Sequence, residues 1–259
     1  MHGIILRTTK IKDSDLVVNW LNDEDRLVST YAGHVQGSRQ FPNALELMTI
    51  YEIEYRQKAA QTMGSLRSAY SVERFDNLIE NMAGLSCASA ALEAVSNLCP
   101  DDATVIDLFS TLLQALAVMN TAPELAVMVL AWFECFLVNQ LGVMPNLEIC
   151  SQCARPIEKS SYYQQELGFI CKSCAHDEAN IPEFVLEAIR RLRFQSLRAT
   201  VQKALAINDA EKRRKVLAPV LRFLVSIMCD NSTMKRLKAH RFMAETTLEM
   251  PHLFDYDSI

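Results

Sequence analysis

Residues 150–174 read CSQCARPIEKSSYYQQELGFICKSC, two Cys-x-x-Cys knuckles (Cys150/Cys153 and Cys171/Cys174) separated by seventeen residues. Two residues between cysteines let both thiolates of a knuckle reach one ion. A spacer of this length is what a β-hairpin needs to carry the second knuckle back to the first. Tyr162, Tyr163, Phe169 and Ile170 supply strand formers, and Gly168 supplies a turn. Four thiolates fill a tetrahedral site and leave no coordination position for water, so the expected metal is structural zinc in a ribbon. The knuckle spacing is closer to zinc ribbons than to iron–sulfur runs. His176 is the one nearby residue able to replace Cys174. Cys87, Cys99, Cys135 and Cys229 sit in apolar helical patterns and read as core residues.

Outward from the ribbon the chain has two different halves. Upstream, Ile4–Thr9, Leu16–Leu21, Leu27–Val35, Leu47–Tyr55 and Ser65–Ser71 are short β-rich runs separated by polar turns. In the fourth, Tyr51, Ile53 and Tyr55 alternate with Glu52, Glu54 and Arg56, the period of a sheet with one wet face. Asn22-Asp23-Glu24-Asp25 suits a hairpin turn. Five strands in about seventy residues is the size of a small barrel.

After Val72 the apolar spacing becomes three and four. Helices are expected around Leu78–Leu98, Val105–Met119, a span from Thr121 (as N-cap) to Leu141, a span opened by Pro182, and Val216–Leu224 with a kink or restart at Pro219. Gly142 reads as a C-cap. The stretch Leu125–Met144 is apolar enough to raise a membrane span, but it carries Glu134, Asn139 and Gln140 and reads as the central helix of a bundle. The last fifteen residues look loosely docked. The fold class expected is α+β: a small β-barrel (1–72), which the resemblance given below implies is an OB-fold, a helical domain in two parts (73–148 and 178–259), and an inserted four-cysteine zinc ribbon (149–177).

Charge is unevenly spread. The net charge is −5, yet Phe75–Ala154 holds no Lys or Arg against nine acids, whereas Arg190–Arg241 holds fourteen basic residues against three acidic ones. Seven glycines, with no GxGxxG and no GxxxxGK[ST], argue against glycine-cradled nucleotide folds. No HExxH and no GxSxG occurs, and the one His-x-Glu, His176-Asp177-Glu178, is followed by no Pro-Cys-x-x-Cys pair, so neither a zinc deaminase nor a serine hydrolase is indicated. The reading is of a non-enzyme. MHGIILRTTK carries no basic leader or long apolar run, so a cytoplasmic protein is expected, and the family resemblance given below implies that it is nucleoid-associated.

The order barrel, bundle, ribbon resembles the bacterial recombination mediator family RecO. The resemblance is carried by Ser14-Asp15-Leu16, Arg26–Val28, GHVQGSR (Gly33–Arg39), Phe133-Glu134, Leu141-Gly142, Pro145 and Leu147 running into Cys150, Gly168–Cys171, and Met234–Phe242. It implies an OB-fold that binds single-stranded DNA, contacts with single-strand-binding protein and with a RecR-type partner mediator, recombinase loading, strand annealing, and no catalytic residue. Candidate DNA contacts on the barrel are Arg7, Lys10, Lys12, Arg26 and Arg39, and Trp20, Tyr31 and Phe41 are each either a stacking ring or a core residue. Gly33–Arg39 holds one Arg and one His where the family loop is usually rich in cations, so weak binding by the barrel alone is expected. Arg190, Arg191 and Arg193, with Lys235, Arg236, Lys238 and Arg241, are expected to extend the DNA path or to receive the acidic, hydrophobic-ended tail of single-strand-binding protein. The alternative is a zinc-ribbon interaction scaffold without DNA function, for which the cation-free stretch would be the docking face.

Overall fold

The computed structural model describes residues 1–35, 38–41, 45–58, 62–100, 104–157, 161–164, 167–176, 179–206, 209–230, 237–250 and 253. Five strands, β1 (His2–Lys10), β2 (Leu16–Asn22), β3 (Leu27–Ala32), β4 (Thr49–Arg56) and β5 (Met63–Arg74), close in the order β1-β2-β3-β5-β4. All pairings are antiparallel except β3 with β5, and β4 returns to β1. This is an OB-like barrel. β4 alternates as its sequence demands, Tyr51 and Ile53 inward and Glu52 and Glu54 outward. β1 does not alternate: Gly3–Leu6 is a continuous buried run. Ile5 joins the barrel interior with Val18, Trp20 and Tyr51, while Ile4 and Leu6 belong to the core of the helices. A strand covered on both faces loses its polar face.

The helical part comprises α1 (Asp76–Glu80), α2 (Met82–Leu98), α3 (Leu108–Thr121), α4 (Ala126–Gln140, after a 3₁₀ turn Pro123–Leu125), α5 (Glu183–Phe194), α6 (Leu197–Leu205), α7 (Ala210–Asp230) and α8 (Lys238–Met243), the last running into a π turn Ala244–Leu248. α4 packs against α2, α3, α5, α6 and α7. This explains why it is apolar on every side. No single helix among the described residues is long and apolar enough to cross a membrane; α3 and α4 pass such a test only as a pair bent by 120°. Gly142, at φ +70°, ends α4 as expected, with Val143 N–H reaching back to Val138 O at 3.2 Å.

One expectation needs correction and two are narrowed. Thr121 is not an N-cap; it is the last residue of α3, and its hydroxyl bonds back to Ala117 O at 3.0 Å. α7 runs through Pro219 without a restart. Of the last fifteen residues, Leu248 is buried while Glu245, Thr246, Glu249 and Met250 are exposed, and 251, 252 and 254–259 lie outside the described residues.

The barrel is held to the helices by more than apolar contact. Asp25, in the β2–β3 turn, accepts the backbone N–H groups of Asp107 (2.8 Å) and Phe109 (2.7 Å) at the start of α3. The helix's own N-cap residue, Asp107, makes no side-chain cap bond. A carboxylate from the barrel therefore satisfies the orphan donors of a bundle helix and complements its dipole.

Candidate metal centre and nucleic-acid face

The ribbon is a three-stranded sheet in the order β7-β6-β8, made of β6 (Ser161–Gln164), β7 (Gly168–Cys171) and β8 (Ala179–Ile181). β6 and β7 form the antiparallel pair that returns the second knuckle; β8 was not legible in the sequence. The ligand atoms of Cys150, Cys153, Cys171 and Cys174 all lie within 4.8 Å of one another, and Cys153 Sγ stands 3.7 Å from Cys171 Sγ. Thiolates about 2.3 Å from a tetrahedral ion are separated by about 3.8 Å, so the cage fits a bound metal rather than a disulfide. Its first sulfur is buried and accepts the Cys171 N–H at 3.3 Å. The Arg155 guanidinium, 3.4 Å from Cys153 Sγ, pulls that thiol down to about 6, toward the thiolate a metal requires.

Arg190, expected as a ligand-facing cation, is turned inward and fastens the ribbon to the bundle. Its Nη2 donates to Leu147 O (2.6 Å) and Ile157 O (3.2 Å), and its Nε lies 3.1 Å from Glu148 Oε1. On the other side of the ribbon, Tyr163 and Phe169 pack on Phe223 of α7 with centroids 5.0 and 5.2 Å apart, and the Tyr163 hydroxyl donates to Asp230 at 3.0 Å.

On the barrel, Arg7, Lys10, Lys12, Arg26 and Arg39 are all exposed, and none forms an ion pair among the described residues. Arg56, Lys58 and Arg67, passed over in the sequence, share both properties. Of the aromatic candidates, Trp20 and Phe41 are core: Trp20 Nε1–H donates to Thr30 at 2.8 Å and its ring meets Tyr51 edge-on. Tyr31 is 38% exposed. The register sets Arg7, Asn19, Ser29 and Met63 in one cross-strand row and Thr9, Val17, Tyr31 and Ser65 in the next. Directly opposed residues share a face, and the Asn19–Ser29 side-chain bond (2.9 Å) runs along it. The Tyr31 hydroxyl donates to Asp15 at 2.7 Å, and the same carboxylate accepts the His34 N–H at 3.0 Å. These bonds, the backbone one first, hold the Asp15 carboxyl below its ordinary range.

The basic residues of the helical part behave differently. Arg191 pairs with Glu187 (2.8 Å), Arg193 donates to Asn139 (2.7 Å), and Lys238 and Arg241 are exposed. Lys235 and Arg236 lie outside the described residues.

Sequence reasoning missed one cluster entirely. His240, fully buried, has Nδ1 at 2.9 Å from Glu93 and Nε2 at 2.7 Å from Glu134, which is also fully buried. Only an imidazolium donates to both carboxylates at once. Burial alone would lower the His240 pKa, but the charge and hydrogen bond of Glu134 and the bond to Glu93 outweigh it and lift it to about 9. Burial pushes Glu134 up, and its second oxygen has no hydrogen-bond partner among the described residues. Glu93 also feels burial, but the His240 ring and the Ala239 and His240 N–H groups hold it low. The three groups tie α8 to α2 and α4. The polar interruption of an otherwise apolar α4 was the one available signal.

The family model described as "Recombination protein O C terminal" matches residues 79–225. The chain is 28% identical over 254 residues to a DNA repair protein RecO of Anaeromyxobacter dehalogenans (strain 2CP-C), covering 95% of each chain. It is 26% identical over 259 residues to that of Myxococcus xanthus (strain DK1622), covering 95% of this chain and 97% of the relative. It is 26% identical over 198 residues to that of Dehalococcoides mccartyi (strain CBDB1), covering 74% and 76%. The match to the family model spans more than half of the chain, and these relatives extend the likeness through the barrel: the chain belongs to the RecO family of DNA repair proteins.

Proposed function

We propose that this chain is a non-enzymatic recombination mediator: it holds single-stranded DNA on the open face of the barrel, docks single-strand-binding protein through its helical part, and works with a RecR-type partner to load recombinase and anneal strands. The observation that carries the reading is the face built by Arg7, Asn19, Ser29 and Tyr31. Its polar side chains, its fixed but exposed ring and the unpaired cations around it suit a strand that stacks bases and presents phosphates. The cysteine cage supports a structural zinc that clasps the ribbon and takes no part in chemistry.

For the acidic, hydrophobic-ended tail of single-strand-binding protein, the supporting feature is a groove whose lining includes Val127, Met128 and Leu217 together with Arg213 and Arg214. Arg214 already pairs with an acidic neighbour, Glu249, at 2.8 Å. Lys238 and Arg241 remain further candidates for this partner.

The test is a titration with labelled oligothymidylate over a salt series. Affinity is expected to fall steeply as salt rises, and Tyr31→Ala is expected to weaken binding about tenfold, the scale of one lost stacking contact. Salt-independent or undetectable binding would remove the DNA reading and leave the scaffold alternative.

A further inference from the structure

Phe194, the last residue of α5, is 82% exposed, more than any other large apolar side chain among the described residues. Fraying does not account for it. Leu192 and Leu197 on either side are buried, Trp132 Nε1–H of α4 donates to Gln195 O at 2.8 Å, and Ser196 caps α6 by accepting the Ala199 N–H at 3.3 Å. The ring is thus presented by a turn anchored at both ends. The Arg193 guanidinium lies over it, 5.3 Å from the centroid, and is itself held by Asn139. Arg198 follows, exposed and without an ion pair among the described residues. No acid occurs between Glu187 and Asp209.

A ring left in water and flanked by cations suits a ligand that offers both a π face and negative charge. A purely apolar protein anchor would instead sit among apolar neighbours with the charges at its rim. We infer that the α5–α6 turn is a second binding site for single-stranded nucleic acid, with a base stacked on Phe194 and the flanking phosphates on Arg193 and Arg198. This inference rests on the DNA-handling role proposed above and adds a second strand site to it. α5 and α6 pack on α4, and α5 also on α7, whereas the barrel docks on α2 and the start of α3, so the two sites belong to different parts of the molecule. A protein holding one strand at each site raises the effective concentration of one for the other, which is what annealing requires.

The test is photocrosslinking of the full chain to an oligothymidylate substituted with 5-bromodeoxyuridine, with peptide mapping, alongside annealing of two complementary oligonucleotides. Adducts are expected on two peptides, one containing Tyr31 and one containing Phe194. Phe194→Ala should abolish the second adduct and slow annealing about tenfold, with the Tyr31 adduct retained. Arg198→Glu should reproduce the loss without touching the ring. The thermal midpoint of both variants should match that of the unaltered chain, since both side chains are exposed. Adducts confined to the barrel, with annealing untouched by either variant, would overturn the second site and leave the proposed function standing. Adducts nowhere would overturn both. If Phe194→Ala abolished binding of an acidic tail peptide while crosslinks and annealing persisted, the turn would be a protein anchor and the inference would fall.

Discussion

Cys150 and Cys174 lie twenty-four residues apart and close a cage within one hairpin, whereas Glu93, Glu134 and His240 are gathered across 147 residues from three helices. Both are polar clasps, and they act on different scales. The thiolates lie in a small insertion with little core of its own, where they could hold an ion. The carboxylates and imidazolium lie inside a large apolar bundle, where their burial is costly unless every charge is matched. A cage at the surface makes local structure possible; a triad in the core selects which helix closes the bundle.

The largest expected effect separates the two clasps. Metal analysis should return one zinc per chain. Chelation, or Cys171→Ser, should strip hydrogen-exchange protection from residues 150–181 while the barrel keeps its own. Equal loss of protection in the barrel would mean that the ribbon supports the whole molecule and that the contrast is wrong.

Next, His240→Ala should cost about 3–5 kcal/mol in urea unfolding, because it leaves Glu134 buried without a partner. A cost under about 1 kcal/mol would reduce the triad to a bystander.

The triad should also be pH-sensitive in a defined direction. The folded His240 pKa, about 9, lies above the ordinary 6.5, so its contribution is fully present below pH 6.5 and is lost as pH rises through 9. Glu93, held low, contributes above the ordinary carboxylate range and loses that contribution as pH falls. Glu134, pushed up, works in the opposite sense, since its burial cost is relieved on protonation. The stability gap between the unaltered chain and His240→Ala should therefore narrow between pH 6.5 and 9; a constant gap would show that charge is not what the triad contributes.

The smallest expected effect concerns the seam between barrel and bundle. Asp25→Ala removes two cap bonds and should cost about 1 kcal/mol. The two tryptophans report separately, Trp20 from the barrel core and Trp132 from the bundle. In this variant their unfolding transitions should move apart, and coincident transitions would show that apolar contact alone couples the two parts.

Much of this was legible because its physics is local. The Cys-x-x-Cys spacing, the alternation in β4, and Gly142 followed by Pro145 each carry their structural meaning within a few residues. The misreadings have physical causes as well. Thr121 suits an N-cap, but a threonine in a last turn bonds equally well to the carbonyl four residues back. Arg190 sits in a run of arginines that looks like a ligand face, yet the ribbon folded over it and turned its guanidinium into a brace. Trp20 and Phe41 were left open between stacking platform and core, and the barrel closed around them.

The cysteine cage, the barrel–bundle–ribbon order and the sign of charge along the chain were determined by sequence alone, since each depends on neighbours a short chain distance away. Which cations stay unpaired, which rings remain in water, and that Glu93, Glu134 and His240 meet were decided only by the tertiary structure. Those outcomes depend on which faces are covered when distant segments pack, and residue spacing carries no record of that.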